Sequence, residues 1–219
     1  ERPVFNPERA LLMDFDVEQV DGVTFFYVLP FSETHALVEF TVFSDQMLDD
    51  QTYDEGVSAY LLDRYGLSPG SYELLRREKG GIPMETDRLP QRMNARTMNI
   101  GMAGGHTKPS TGYTFMRIQK QVAGIVRELS AGRRPAHLGA SSLRFRVYDL
   151  MLLSILERDP AMGRHIFSTL FQRNPMEHIL RFLDEETHLG NELWIFSRLP
   201  YFPFFRSMYM TRRRILAGA

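Results

Sequence analysis

Three runs rich in β-branched and aromatic residues follow one another between Leu11 and Phe43, joined by connections too short for anything but neighbouring strands. Met13, Phe15 and Val17 alternate with Asp14, Asp16 and Glu18, the period-two pattern of a half-buried strand. Val23 to Phe31 and Ala36 to Phe43 continue in the same idiom, with Asp21-Gly22 and Ser32-Glu33-Thr34-His35 as the turns. A parallel pair needs a crossover of roughly a dozen residues or more, so these three strands must form an antiparallel meander.

Beyond the meander the periodicity changes. Val57, Tyr60, Leu61 and Tyr65 predict a helix over Asp49 to Tyr65, stopped by Gly66. Tyr72 to Met84 returns to strand character, interrupted by Gly80-Gly81 and Pro83, and a short strand is expected over Thr97 to Met102. A glycine-rich turn follows, then a helix whose Phe115, Ile118, Val122, Ile125, Val126 and Leu129 have the spacing of a buried stripe, ending at Gly132. From Leu143 the chain becomes all-helical, with segments at Leu143 to Arg158, Met162 to Arg173 and Met176 to Asp184. The expected class is α+β, with residues 1–137 forming the sheet-containing part and 138–219 a helical region.

Composition removes several functions. A net charge of -1 supplies no general field for nucleic acid, so a charged partner needs a local patch. The absence of cysteine excludes disulfides, thiolate metal sites and a cysteine nucleophile. No apolar run approaches the roughly 18 residues of a spanning helix.

Four segments carry candidate chemistry. In the strand Ala36 to Phe43 both faces are largely apolar, so Glu39 is expected to be buried, with its acid form favoured as a general acid requires. On spacing alone the structural reading is favoured: a glutamate paired with an arginine, or one facing out at a sheet edge. The second segment, Gly101 to Tyr113, contains Gly101, Gly104, Gly105, His106, Lys108, Pro109, Ser110, Thr111 and Gly112. Its glycines allow close backbone approach to a ligand, and the following helix start suits an anion or a cofactor ring. The alternative is a plain strand-to-helix turn with Ser110 or Thr111 as N-cap, since a glycine-rich turn alone is a weak signal. The third, Glu78-Lys79-Gly80-Gly81-Ile82-Pro83-Met84, forces a kinked extended path through its two glycines and proline. The last is the tail from Leu199 to Arg214, where Tyr201, Phe202, Phe204, Phe205 and Tyr209 stand among Arg206, Arg212, Arg213 and Arg214, as in an interfacial membrane anchor. Packing of those aromatics onto the domain, with a solvated basic end, is the equal alternative.

Taken in order, five segments resemble the bacterial lycopene β-cyclases over nearly the whole chain. Leu12-Met13-Asp14-Phe15 is similar to that family's Met-Asp-Trp or Met-Asp-Phe strand, and Phe26 to Ser32 to its Leu-Pro-Phe-Ser segment. Leu37-Val38-Glu39-Phe40-Thr41 falls where the family has Leu, Val or Leu, Glu, Glu or Asp, then Thr. Ile82-Pro83-Met84 and the Gly101 to Tyr113 turn, with its Pro109-Ser110-Thr111-Gly112-Tyr113 core, match the remaining two signatures. Phe40 departs from the pattern, standing where many relatives carry a second acid, so Glu39 is the carboxyl group that carries over.

The resemblance implies the antiparallel sheet of a flavoprotein substrate domain of p-hydroxybenzoate hydroxylase type. It also implies acid–base isomerisation of lycopene end groups to β-ionone rings, with reduced FAD as a cofactor that undergoes no net redox change. Glu39 is then the proton donor, the Gly104 to Gly112 turn holds the flavin ring, and the tail meets the cytoplasmic side of a membrane peripherally. The Gly-x-Gly-x-x-Gly dinucleotide fingerprint does not occur in these residues. A further N-terminal half is therefore expected in the complete protein, with the chain alone binding flavin poorly and lacking activity. Two other activities fit a similar fold: flavin-dependent isoprenoid reduction or oxygenation, and non-enzymatic lipid binding at a membrane surface.

Overall fold

The computed structural model describes residues 2–87, 89–135 and 141–216. It forms two compact units, Glu1–Gly81 with Asp159–Arg164, and Ile82–Arg158 with His165–Ala219. The expected change of character at residue 138 lies outside the described residues.

The first unit is built on the meander: β1 (Leu11–Asp14), β2 (Val23–Pro30) and β3 (Ala36–Phe43), antiparallel in the order β1-β2-β3. In β2 and β3, Phe26 pairs with Phe40 and Val28 with Val38, so these four side chains share a face. Helix α1 (Asp50–Tyr65) covers that face. The rings of Phe40, Phe26 and Tyr60 form one nearly parallel stack, with centroids 4.8 and 4.0 Å apart. Asp49 caps α1 by accepting the Thr52 amide at 2.7 Å, and Gly66 closes it in the left-handed conformation at φ 63°.

Strand β1 is shorter than the alternating pattern predicts. It bulges against β2, with Met13 at φ 60°, and ends at Asp14. Asp14 accepts hydrogen bonds from the Tyr60 hydroxyl at 2.8 Å and the Asp16 amide at 3.1 Å, so local side-chain bonding replaces the ladder. The strand expected over Tyr72 to Met84 does not form. Up to Gly81 this segment is instead tethered along α1: Arg77 pairs with Asp54, Lys79 with Asp50, and the Lys79 ammonium lies 5.0 Å from the centre of the Tyr53 ring. Gly80, Gly81 and Pro83 give a poor ladder, and the ionic tethers hold the chain without one.

The second unit contains α2 (Phe115–Ser130), α3 (Leu143–Arg158), most of α4 (Pro160–Arg173), α5 (Met176–Leu183), α6 (Leu189–Phe196) and α7 (Tyr201–Leu216). The architecture among the described residues is thus α+β, with a three-stranded antiparallel sheet and seven α-helices. Leu170, Ile179, Ile195 and Leu199 are the centre of the helical core, flanked by Phe182, Phe196 and Phe204. Glu192 is fully buried, yet its carboxylate accepts from Arg144 at 3.1 Å, Tyr148 at 2.9 Å and Thr187 at 3.1 Å.

Two expectations fail here. Thr97 to Met102 makes only an isolated bridge, Met98 with Arg92, before a 3-10 turn at Gly101–Gly104. The apolar stripe of α2 faces outward: Phe115 is 67% exposed and Leu129 59%, while the helix buries Arg117, Gln121 and Gly124. Arg117 and Gln121 have specific partners on that inner side, described below, and these bonds orient the helix.

Gly56 of α1 lies against Phe40, where an added Cβ would approach a ring carbon to 2.5 Å. Alanine normally stabilises a helix interior relative to glycine by about 1 kcal/mol. At this position the sign reverses, and Gly56→Ala should lose about 1–3 kcal/mol through overpacking. Urea denaturation checks this, and adding Phe40→Leu to Gly56→Ala should recover part of the loss.

Candidate functional site

The first candidate surface belongs to the meander face that α1 does not cover. Side chains alternate along β3, so Leu37, Glu39, Thr41 and Phe43 point away from the Phe26 stack. Glu39 sits opposite Tyr27 in the register, and Leu37 opposite Leu29. The expectation that Glu39 is buried is not met. It is exposed, because β3 is the outer strand of the described sheet and α1 packs only on the other face. Leu29 and Leu37, each 38% exposed, border it with apolar surface.

Tyr27 is half-buried, and its phenol is pushed up to about 12, first by burial and then by the nearby Glu39 charge. The pair therefore combines an accessible carboxyl group with a phenol that stays protonated. Phe40 points the opposite way, into the ring stack. A second acid at position 40 would enter the core rather than join Glu39, so the departure from the paired-acid pattern is consistent with this strand's alternation.

The second candidate surface is the turn Gly101 to Tyr113 in the second unit. Gly101, Gly105 and Gly112 adopt φ 60°, 75° and 70°, the left-handed region that favours glycine. Gly104 packs so closely that an added Cβ would stand 2.6 Å from the Asn99 carbonyl oxygen. The Gly101 amide donates to Gln121 Oε1 at 2.9 Å, fixing the turn to α2. Ser110 and Thr111 do not cap α2. Ser110 is buried and donates to Asp149 at 2.6 Å, while the N-cap is Thr114, whose side chain makes no capping bond and instead donates to the Gly112 carbonyl at 2.7 Å.

His106 and Lys108 also turn inward, with Lys108 Nζ 2.8 Å from the buried Asp149 carboxylate. Burial, helped by the Arg117 charge, lowers the pKa of His106, while burial raises that of Asp149 against the opposing pull of Lys108 and Ser110. With these side chains inward, the turn shows backbone together with the half-buried Pro109, Thr111 and Gly112. Arg117, Gln121, Asp149 and Glu185 escaped the sequence reading. A signal existed for Asp149: it stands four residues after Phe145 on the buried face of α3.

The family model for lycopene cyclase proteins matches residues 1–209. The chain belongs to the lycopene cyclase family. It is 28% identical over 212 residues to the lycopene beta-cyclase of Paracoccus sp. (strain N81106 / MBIC 01143), a match covering 89% of this chain and 53% of that protein. The chain thus spans about half the length of the curated relative it matches. No solved structure matches it.

The five segments of this lycopene cyclase family member that resemble the family's signatures take distinct places in the two units. In the first unit they supply the β1 bulge, the β2 end and β3. In the second, Ile82 lies beside Gly112, where an added Cβ would be 3.6 Å from Ile82 Cγ2, so the Ile82-Pro83-Met84 and glycine-turn segments meet. The tail forms α7, which buries Ser207 and Thr211 and hangs on α3 through the Ser207 hydroxyl donating to the Met151 carbonyl at 2.8 Å. Its outward face shows Tyr201 and Phe202, each 72% exposed, together with Phe205, Tyr209, Arg206 and Arg212. No helix among the described residues is long and apolar enough to cross a membrane.

The Tyr27–Glu39 coupling has a definite titration signature. Glu39→Gln should move the Tyr27 midpoint down from about 12 but leave it above the ordinary value of 10, because burial is the larger cause. Phenolate absorbance, with Tyr27→Phe as the reference, measures this. An unmoved midpoint would show that the two side chains do not interact.

Proposed function

We propose that the complete protein is a carotenoid cyclase, an isomerase that closes lycopene end groups into β-ionone rings. Membership of the lycopene cyclase family carries this reading. The exposed Glu39 beside the Tyr27 phenol, bordered by Leu29 and Leu37, supplies the chemistry to support it.

In this reading Glu39 in its acid form gives a proton to the terminal carbon–carbon double bond. The electron pair of a neighbouring double bond then closes the ring on the resulting cation, and loss of a proton leaves the cyclic alkene. One proton is gained and one lost, so product and substrate are isomers. Tyr27 remains a neutral phenol throughout, able to bond the Glu39 carboxyl group as it changes protonation state, and its ring offers a π-face to positive charge. The apolar surface around the pair suits a hydrocarbon with no polar handle.

The glycine turn fits a flat cofactor ring. Its charged side chains are directed inward, the left-handed Gly105 is exposed and Gly112 half-buried, and the first-turn amides of α2 are not taken by a Thr114 side-chain cap. Reduced FAD bound there by Gly105 and the Pro109 to Gly112 backbone, with the buried Gly101 and Gly104 shaping the turn beneath it, would supply an electron-rich ring that favours positive charge. The sheet is read as part of a flavoprotein substrate domain. The aromatic and basic face of α7 is read as the contact with the cytoplasmic side of a membrane, from which so insoluble a substrate must be drawn.

Pigment analysis of a lycopene-producing host expressing the complete protein tests the activity. Cyclised carotenoid is expected from the wild type, and Glu39→Gln should lower its formation about 100-fold or more. Linear lycopene with the wild type overturns the cyclase reading, whereas full activity of Glu39→Gln overturns only the role of that residue. For α7, replacing Phe202 and Phe205 by serine should weaken sedimentation with anionic vesicles, and high salt should weaken it further through the arginines.

A further inference from the structure

The second unit contains a buried ionic cluster that the proposed chemistry does not use. Lys108 and Asp149 are almost completely enclosed, and their charged groups lie 2.8 Å apart. Lys108 Nζ is also 3.7 Å from Glu185 and lies over the rings of Phe145 and Phe182, at 5.4 and 5.9 Å. Glu185 accepts from Arg117 at 2.6 Å and from Ser141 at 2.8 Å. Arg117 spans the cluster, donating from Nε to the His106 carbonyl at 3.2 Å and from Nη2 to Ser141 at 2.8 Å. Two cations thus face two carboxylates, the Lys108–Asp149 pair enclosed and the Arg117–Glu185 pair largely buried beside it, where charges are tolerated only with partners.

The partners are distributed with a pattern. Lys108, Ser110 and the His106 carbonyl belong to the glycine turn, and Arg117 to the first turns of the helix that the turn feeds. The carboxylates come from elsewhere: Asp149 from α3, Glu185 from the connection between α5 and α6. Glu185 has φ +59°, a left-handed backbone uncommon for glutamate, and adopts it where its side chain meets Arg117 and Ser141. Its neighbours in sequence repeat the arrangement. The Asp184 carboxylate engages the Tyr113 hydroxyl at the end of the turn, and Glu186 pairs with Lys120 of α2 at 2.7 Å.

We propose that Asp149 and Glu185 are positioning residues that clamp the Gly104 to Gly112 turn and the start of α2 in their ligand-facing shape. Asp149 fixes Lys108 and Ser110, flanking Pro109, while Glu185 fixes Arg117 and through it the His106 carbonyl. The ring-facing backbone is then held by charges on the side away from the ligand. The clamp itself rests on geometry, and its service to a flavin rests on the functional reading above.

The complete protein should be compared with Asp149→Asn, Glu185→Gln and the double variant Lys108→Met with Asp149→Leu, which removes both members of the pair. Hydrogen exchange of the 104–113 amides reads the clamp, and FAD titration with carotenoid KM reads its use. Each single variant should exchange about tenfold or more faster over 104–113, with amides of α6 unchanged, and should bind FAD about tenfold or more weakly at an unaltered carotenoid KM. Unchanged exchange over 104–113 in folded single variants overturns the clamp. If Asp149→Asn does not fold, the double variant decides: loosened turn amides support the clamp, and wild-type exchange overturns it. Should the wild type bind no FAD while the variants loosen the turn, the clamp stands and the flavin reading fails.

Discussion

A charge removed from water must be met by another charge or by a full set of hydrogen bonds, and the second unit is arranged around that requirement. Glu192 gathers Arg144, Tyr148 and Thr187 from α3 and the α6 entry. Asp149 and Glu185 gather the turn and α2. Hydrophobic packing of Leu170, Ile179, Ile195 and Leu199 gives this unit cohesion, but such contacts tolerate sliding. The ionic groups admit few arrangements, so they specify which helix turns which face inward. The outward stripe of α2 follows from that order of priority.

Much of the local structure was legible. The meander followed from short turns between three apolar runs. The limits of α3 followed from a clean helical run, and the end of α1 from Gly66. What could not be read was context. Whether β3 is a central or an edge strand depends on partners outside its own residues, so an apolar strand suggested a buried Glu39 where the structure exposes it. Tyr72 to Gly81 has strand-like composition, yet Arg77 and Lys79 find aspartates on α1, and side-chain pairing displaces backbone pairing. Amphipathicity correctly located α2 but assigned its inner side wrongly, since the rule assumes that no polar residue has a better offer inside.

The two candidate surfaces differ in how they are built. The Glu39 surface is open, formed by two cross-strand pairs, and owes its chemistry to an accessible acid and a reluctant phenol. The glycine turn is a shell over a dry ionic cluster, where the residues that determine its shape are hidden from any ligand. The family-like motifs include accessible residues of both, Glu39 and Gly105 among them, together with the buried Gly101, Gly104 and Ser110. The carboxylates on α3 and in the α5–α6 connection lie outside those motifs and are tied to the turn and to α2 by hydrogen bonds and ion pairs.

Strand β3 carries a carboxylate and a phenylalanine side by side, one facing solvent and one at the end of a stack of three rings. A slip of one residue would exchange them, driving Glu39 against Phe26 in the core and pushing Phe40 into water. The tight connection from Phe31 to His35, closed by the Phe31 and Ser32 amides on the His35 carbonyl, makes any change of length there a change of register. Single-codon insertions or deletions in this stretch of the gene should therefore be harder to accommodate than substitutions at its exposed positions.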